Sequence, residues 1–269
     1  TRNKSEELRR CLQAVLAQRF AREFEVLVCD DGSTDGTAGM LQAWSLTEPR
    51  LRYLHQPQRG PAAARNLGIR HARAPLVVMT DDDTLPDPDW LARLVAAFHH
   101  PGVVAAEGRV TPGRPLRPDE TAPVNEHGGV WLTCNLACGR DALIAIGGFD
   151  ERFPYAAFED CDLAARLRQG GEIVWVPDAV VVHPPRPLSW RSTLRRLRHW
   201  PWIMVTARRY GYLGWPRFPT RHPRLRVLWS ALVALPAGRL LSALRQGSLR
   251  PALWAALEPF AALLRAVPE

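Results

Sequence analysis

Three consecutive aspartates, Asp81, Asp82 and Asp83, stand at the end of an apolar run, Pro75-Leu76-Val77-Val78-Met79-Thr80. The run is continuous rather than alternating, so it reads as a strand covered on both faces. Folding such a strand gathers three like charges at its carboxyl end, where they repel and raise each other's pKa values. A divalent cation removes the conflict, since hard cations take carboxylate oxygens and share their remaining positions with substrate phosphates. An acidic, solvated turn is the other solution, and Pro86 and Pro88 just downstream suit it.

The surrounding pattern favours a site. Helical spacing runs over Glu6–Gln18, with Ser5 available as a cap. Phe24–Cys29 is strand-like and leads into Asp30-Asp31-Gly32-Ser33. A helix over Thr37–Trp44, a strand over Leu51–Leu54 and an alanine-rich helix from Pro61 to Ala72 follow. After the aspartate-terminated strand comes a helix from about Asp87 to His99. Strand and helix alternate, which predicts a mainly parallel sheet covered on both faces. Ligands of such sheets bind outside the carboxyl ends of the strands, where both acidic clusters fall.

Residues 112–129, rich in Pro, Gly and charge, read as a long mobile loop of the kind used as a lid. Further on, Asn135 is a polar residue in an apolar stretch, and Gly147-Gly148-Phe149-Asp150 makes a turn. Glu159-Asp160-Cys161-Asp162 opens a helix continuing over Leu163–Arg168, and a strand pair around Pro177 spans Glu172–Val182 and ends at His183. Each motif has a plainer reading: helix capping for Asp30-Asp31, dipole compensation for Glu159-Asp160, and a structural histidine. Asp30-Asp31 lacks Gly-x-Gly-x-x-Gly spacing, so dinucleotide binding has little support. Arg59-Gly60-Pro61 with Arg65-Asn66 one turn later is a basic helix start, and also suits a guanidinium beside a diphosphate.

Charge divides the chain. Residues 1–185 hold 20 Lys+Arg against 25 Asp+Glu, a balance of −5. Residues 186–269 hold 15 Arg against Glu258 and Glu269, a balance of +13, and six of the ten tryptophans. Tryptophan beside arginine in apolar segments points to an anionic membrane surface, and no compact nucleic-acid motif is present. No apolar stretch reaches bilayer-spanning length: the best, Val227 to Gly238, contains Pro236 and is followed by Arg239. The tail is therefore expected as helices lying on a membrane or re-entrant in it, or packed back on the body. Cys11, Cys29, Cys134, Cys138 and Cys161 lack paired zinc spacing, so reduced thiols and a cytoplasmic, peripheral location at the inner face of the membrane are expected.

Taken together, six elements in register over about residues 1–185 resemble the family 2 glycosyltransferases. They are Thr1-Arg2-Asn3, Asp30-Asp31-Gly32-Ser33-Thr34-Asp35-Gly36-Thr37, Gly60-Pro61-Ala62-Ala63-Ala64-Arg65-Asn66, Asp81-Asp82-Asp83, Gly147-Gly148-Phe149-Asp150 and Glu159-Asp160-Cys161-Asp162-Leu163. The resemblance implies an α/β fold of the GT-A (Rossmann-like) type, a mainly parallel sheet flanked by helices, over 1–185; the tail over 186–269, expected to be helical from its own composition, lies outside it. It implies an inverting enzyme that moves a sugar from a nucleotide-diphosphate-sugar, expected to be UDP-linked, to an acceptor hydroxyl with Mn²⁺ or Mg²⁺. The tail's composition adds a glycan or lipid-linked acceptor of the cell envelope.

Within that family pattern, Asp81 and Asp83 resemble the Asp-x-Asp pair, with Asp83 the direct metal ligand and His183 completing the metal site. Asp82 is placed with the donor-binding residues and is the one of the three expected to tolerate replacement. Asp30 or Asp31 resembles the acid that binds uracil or ribose, and Thr1 the residue touching the nucleoside; Gly60 and Arg65 join the donor side. Asp160 matches the catalytic base, with Glu159 keeping it basic, and Asn135 is assigned to the acceptor. The family's first strand is expected before Thr1, and the Gln-x-x-Arg-Trp motif of processive synthases is absent, which implies single addition. Two rivals stand beside this reading, a sugar-1-phosphate nucleotidyltransferase and a non-catalytic nucleotide-binding membrane adaptor. The first needs a Gly-rich, Arg-containing phosphate loop that is not seen, and intact Asp81, Asp83 and Asp160 count against the second.

Overall fold

The computed structural model describes residues 1–187, apart from 118, 154, 155 and 157. The tail expected over 186–269 thus lies outside the described residues except for Arg186 and Pro187. Two sheets form the frame. In the first, β1 (Val26–Asp31) and β2 (Leu51–Gln56) pair in parallel, flanked by α1 (Ser5–Leu16) and α2 (Thr37–Ser45). Leu8 and Leu12 of α1, Leu41 of α2, and Val28 and Leu51 of the strands close one core between them.

The larger sheet has five strands. They are β3 (Leu76–Met79), β4 (Leu85–Pro86), β5 (Val103–Thr111), β7 (Leu136–Gly139) and β8 (Glu172–Val182), in the order β3-β7-β5-β8-β4. Helices α3 (Pro61–His71), α5 (Arg140–Ala145) and α6 (Glu159–Leu167) supply one covering layer. Helix α4 (Trp90–Ala96) supplies the other, together with Phe20 and Phe24. Successive residues of one strand point to opposite faces. Ala105 of β5 accordingly packs with Ile69, Leu143 and Leu163, while its neighbour Ala106 packs with Trp90 and Leu94. Burying side chains such as Leu94, Leu143 and Leu163 contributes about 1.5–3 kcal/mol each.

The α/β class and the alternation up to α4 agree with the sequence. The sheet, however, is mixed rather than mainly parallel: β5 runs parallel to β8, but β7 is antiparallel to both β3 and β5, and β4 antiparallel to β8. The reason is local. No α-helix intervenes between β5 and β7, and a parallel pairing needs a crossover connection. The aspartate-terminated strand is also only half-buried over Leu76–Val78, with Met79 alone fully covered.

The expected strand pair around Pro177 is one strand, Glu172–Val182, with a register shift against β5 between Gly108 and Arg109. Asn135 and Gly108 fit into this irregularity; a Cβ on Gly108 would lie 2.3 Å from the Ala179 carbonyl oxygen and 2.5 Å from Asn135 Nδ2. Part of the expected lid is tied down: β6 (Glu120–Thr121) pairs antiparallel with β9 (Arg186–Pro187), and Val110 bridges Asn125. The five cysteines are free thiols. No helix among the described residues is long and apolar enough to cross a membrane.

Candidate active site

The acidic ends of β1 and β3, the N-terminus of α6 and the end of β8 supply the groups in question. Asp83 and Asp81 follow β3, and His183 follows β8, where its backbone N–H donates to Thr111 O at 2.8 Å. His183 Nε2 lies 3.5 Å from Asp83 Oδ1 and 4.0 Å from Asp81 Oδ2, and one donor atom from each of the three residues lies within 4.8 Å of the others. Asp83 Oδ1 is buried without a hydrogen-bond partner. An orphaned carboxylate oxygen facing an imidazole nitrogen and a second carboxylate is a donor set that suits a divalent cation of the Mn²⁺ or Mg²⁺ kind.

The other side of the triplet is neutralised by two cations the sequence did not flag. Lys4 Nζ contacts Asp82 Oδ1 at 2.7 Å and Asp83 Oδ2 at 3.0 Å, and Arg186 pairs with Asp83 Oδ2. Burial acts to raise the Asp82 carboxyl, but the Lys4 ammonium, the Thr1 amine and hydrogen bonding together outweigh it and leave the group below the usual range. Lys4 holds the cap position of α1, which begins at Ser5 with no side-chain cap bond, so the expected Ser5 cap is not formed. Neither cation was legible because each sits about eighty or more residues from its partner in sequence.

Asp160 lies in the first turn of α6, where its Oδ1 accepts the Cys161 N–H at 2.8 Å. Burial first and the neighbouring Glu159 second push its pKa up to about 7. Burial likewise raises Glu159, against the opposing pull of Arg65. Phe158, just before the pair, adopts left-handed backbone at φ 70°, an uncommon conformation for a non-glycine residue. Arg65 joins this pair to the triplet: its Nη1 donates to Glu159 Oε1 at 2.8 Å and its Nη2 to Asp81 Oδ1 at 3.2 Å.

The remaining predicted residues divide. Asp30 is fully buried, accepting the Ser33 N–H and the Tyr53 hydroxyl. Asp31 accepts three bonds, from Gln56 Nε2 at 2.7 Å and from the Arg59 and Gly60 N–H groups at 2.8 Å each. Asp31 and Gly60, both expected on the donor, thus bond to each other. Gly60 takes φ 97°, a left-handed conformation open to glycine, and starts α3. Thr1 pairs with β1, its amine donating to Cys29 O at 2.7 Å and its carbonyl accepting the Asp31 N–H at 2.9 Å.

Asn135 requires correction. It is 1% exposed; its Nδ2 donates to Arg109 O and Ala179 O, and its Oδ1 accepts the Trp90 indole N–H, all at 2.8 Å. With its amide committed inside the sheet irregularity, it faces no acceptor. Glu107 was missed altogether. This buried acid of β5 accepts Asn125 Nδ2 and the N–H groups of Gly129 and Trp131, holding the segment that leads to β7. An acid directly after the apolar run Val103–Ala106 was the available signal.

A mixed α/β sheet with acidic groups at the strand ends is the architecture of the GT-A glycosyltransferases. Among solved structures the chain is similar to mannosyltransferase PcManGT from Pyrobaculum calidifontis, in complex with GDP-Man and Mn²⁺. The TM-score is 0.63 at 26% identity, covering 98% of this chain and 78% of that one. S. aureus TarS shares the fold at TM-score 0.59 and 17% identity, covering 95% of this chain and 88% of that one. Residues 1–127 match the family model for glycosyl transferase family 2. Glycosyltransferase AglE of Haloferax volcanii is 36% identical over 110 residues, 40% of this chain and 36% of that protein. The pre-mycofactocin glycosyltransferase of Mycobacterium tuberculosis is 30% identical over 209 residues, 69% of this chain and 41% of that protein. Residues 1–127, just under half of the chain, form a glycosyl transferase family 2 region, and the chain spans less than half the length of these two curated relatives.

Proposed function

We propose that the chain is an inverting, metal-dependent glycosyltransferase that moves a sugar from a nucleotide-diphosphate-sugar to an acceptor hydroxyl. The observation that carries this reading is the meeting of two unlike acidic sets: the Asp81/Asp83/His183 cluster with its orphaned oxygen, and the pair of buried Glu159 and half-buried Asp160. A carboxylate near the working pH is suited to take a proton. The similar mannosyltransferase with bound GDP-Man and Mn²⁺ supports the donor class and the cation.

In this reading Asp81, Asp83 and His183 would hold the cation, which when bound stabilises negative charge on the departing nucleoside diphosphate. Asp160 takes the acceptor hydroxyl's proton. The acceptor oxygen bonds to the anomeric carbon from the face opposite the leaving group, as the bond to the diphosphate oxygen breaks through a state with oxocarbenium character. The catalytic body is assigned to residues 1–185.

A melting-temperature screen of nucleotide-sugars tests the proposal. A ligand present at a hundred times its Kd adds about 2.7 kcal/mol, a rise of about 5–10 °C for a body of this size. The rise is expected with Mn²⁺ for at least one UDP- or GDP-sugar and is expected to vanish with chelator. No shift with any such donor overturns the assignment.

A lipid-linked or cell-envelope acceptor is the companion proposal, motivated by the 15 arginines and six tryptophans of residues 186–269. The full chain is expected to sediment with vesicles carrying anionic lipid, to ignore zwitterionic ones and to be released as salt rises. Indifference to anionic vesicles removes this part of the reading.

A further inference from the structure

We infer that Arg65 is a positioning residue that locks the Glu159/Asp160 pair to the cation-binding carboxylate Asp81, rather than a ligand of the donor's phosphates. The inference rests on the function proposed above and assigns one of its residues a different task.

Each terminal nitrogen of the guanidinium donates one bond to a carboxylate, Nη1 to Glu159 at 2.8 Å and Nη2 to Asp81 at 3.2 Å. The side chain is 18% exposed, and its guanidinium carbon lies 5.5 Å from the centre of the Phe149 ring. Asn66, the next residue on α3, fixes that ring's backbone: its Oδ1 accepts the Phe149 N–H at 2.8 Å, and its Nδ2 donates to Phe149 O at 2.9 Å. The clamp admits no side chain on the adjoining turn, since a Cβ on Gly148 would lie 2.4 Å from Asn66 Oδ1. Asn66 therefore sets the turn, the turn sets Phe149, and Phe149 backs the guanidinium plane.

Glu159 completes the argument. It is 2% exposed, its Oε2 has no hydrogen-bond partner, and Arg65 supplies its salt bridge through Oε1. Glu159 is thus oriented chiefly by Arg65, and it is bonded directly to the residue assigned as base. A guanidinium has the planar fork needed to hold two carboxylates at fixed separation; an ammonium is a single point charge. Acceptor activation and cation binding thereby share one rigid frame, in which a displacement of about 1 Å is enough to cost about a hundredfold in rate.

The test uses the full chain, Mn²⁺ and the nucleotide-sugar that most raises the melting temperature of the unaltered protein. Arg65→Lys is expected to keep donor affinity within about threefold while kcat falls at least about thirtyfold. Adding Glu159→Gln to Arg65→Lys is expected to slow turnover by less than about threefold more, since groups acting as a unit are not additive. Donor affinity weakened tenfold with kcat retained, or rate losses that multiply, overturns the inference and makes Arg65 a phosphate ligand or an independent residue.

A readout free of activity guards against misfolding. Arg65→Gln leaves Glu159 an uncompensated buried charge, so the Arg65→Gln/Glu159→Gln pair is expected to melt higher than Arg65→Gln alone. A double variant that melts no higher overturns the clamp. Failure of every nucleotide-sugar to bind the unaltered chain overturns the proposed function and this role with it; binding without the kcat-selective loss overturns the role alone.

Discussion

Replacing the assigned base, Asp160→Asn, is expected to lower turnover by about 10²–10⁴-fold and at the same time to raise the melting temperature at pH 8. The two effects share a cause. Burial first and the Glu159 charge second push the Asp160 carboxyl up to about 7, from an ordinary value of 3.8. The folded chain then holds this proton more tightly than the unfolded chain does. Stability is greatest while the group is protonated, falls as pH rises between those two values, and stays low above the folded one. An amide avoids the cost and can still accept the Cys161 N–H. The stabilisation should therefore be partial at pH 5 and full by pH 8, whereas the unaltered enzyme gains activity over the same range as the carboxylate forms. Melting curves at the two pH values, paired with initial rates, check both halves. Unchanged turnover, or a stability change independent of pH, would remove Asp160 from its role.

Asp83→Asn is expected to abolish the Mn²⁺-dependent part of donor stabilisation and to cost at least about a hundredfold in rate, since the cation supplies several kcal/mol of charge stabilisation. The contrast is with Asp82→Asn. Asp83 Oδ1 is buried, unpartnered and 3.5 Å from His183 Nε2, whereas the Asp82 carboxylate accepts Lys4 Nζ at 2.7 Å. Losing the Asp82 contact leaves the three-donor cluster intact, so Asp82→Asn should keep the Mn²⁺-dependent rise in melting temperature. Equal losses in the two variants would show that the triplet acts only as a pool of negative charge.

The parts of this molecule that were legible in the sequence are those governed by neighbours along the chain. The apolar run before Asp81, the helical spacing of Leu8 and Leu12, and the proline opening α3 each depend on a few adjacent residues, and each element was found within a few positions of where it was expected. Strand direction in the larger sheet was not legible. Periodicity reports which face of a strand is covered and carries no information on whether β7 meets β5 parallel or antiparallel. Asn135 was misread for a related reason. A polar residue in an apolar stretch looks the same whether it faces a ligand or, as here, bridges Arg109 O, Ala179 O and Trp90 across a sheet irregularity. Lys4 and Arg186, which offset the charge of the triplet, were invisible because only the folded chain brings them to it.

The carboxylate of Asp31 carries a consequence for how variants at that position would be interpreted. Its oxygens hold the N–H groups of Arg59 and Gly60, so the order of the turn before α3 depends on a side chain twenty-eight and twenty-nine positions away. A substitution there that weakened nucleotide binding would invite the conclusion that a contact to the base had been lost. Slow amide exchange at Arg59 and Gly60 is a separate gauge: if it quickens in step with the loss of binding, the acid acts as the anchor of a backbone hinge, and base recognition belongs to other residues.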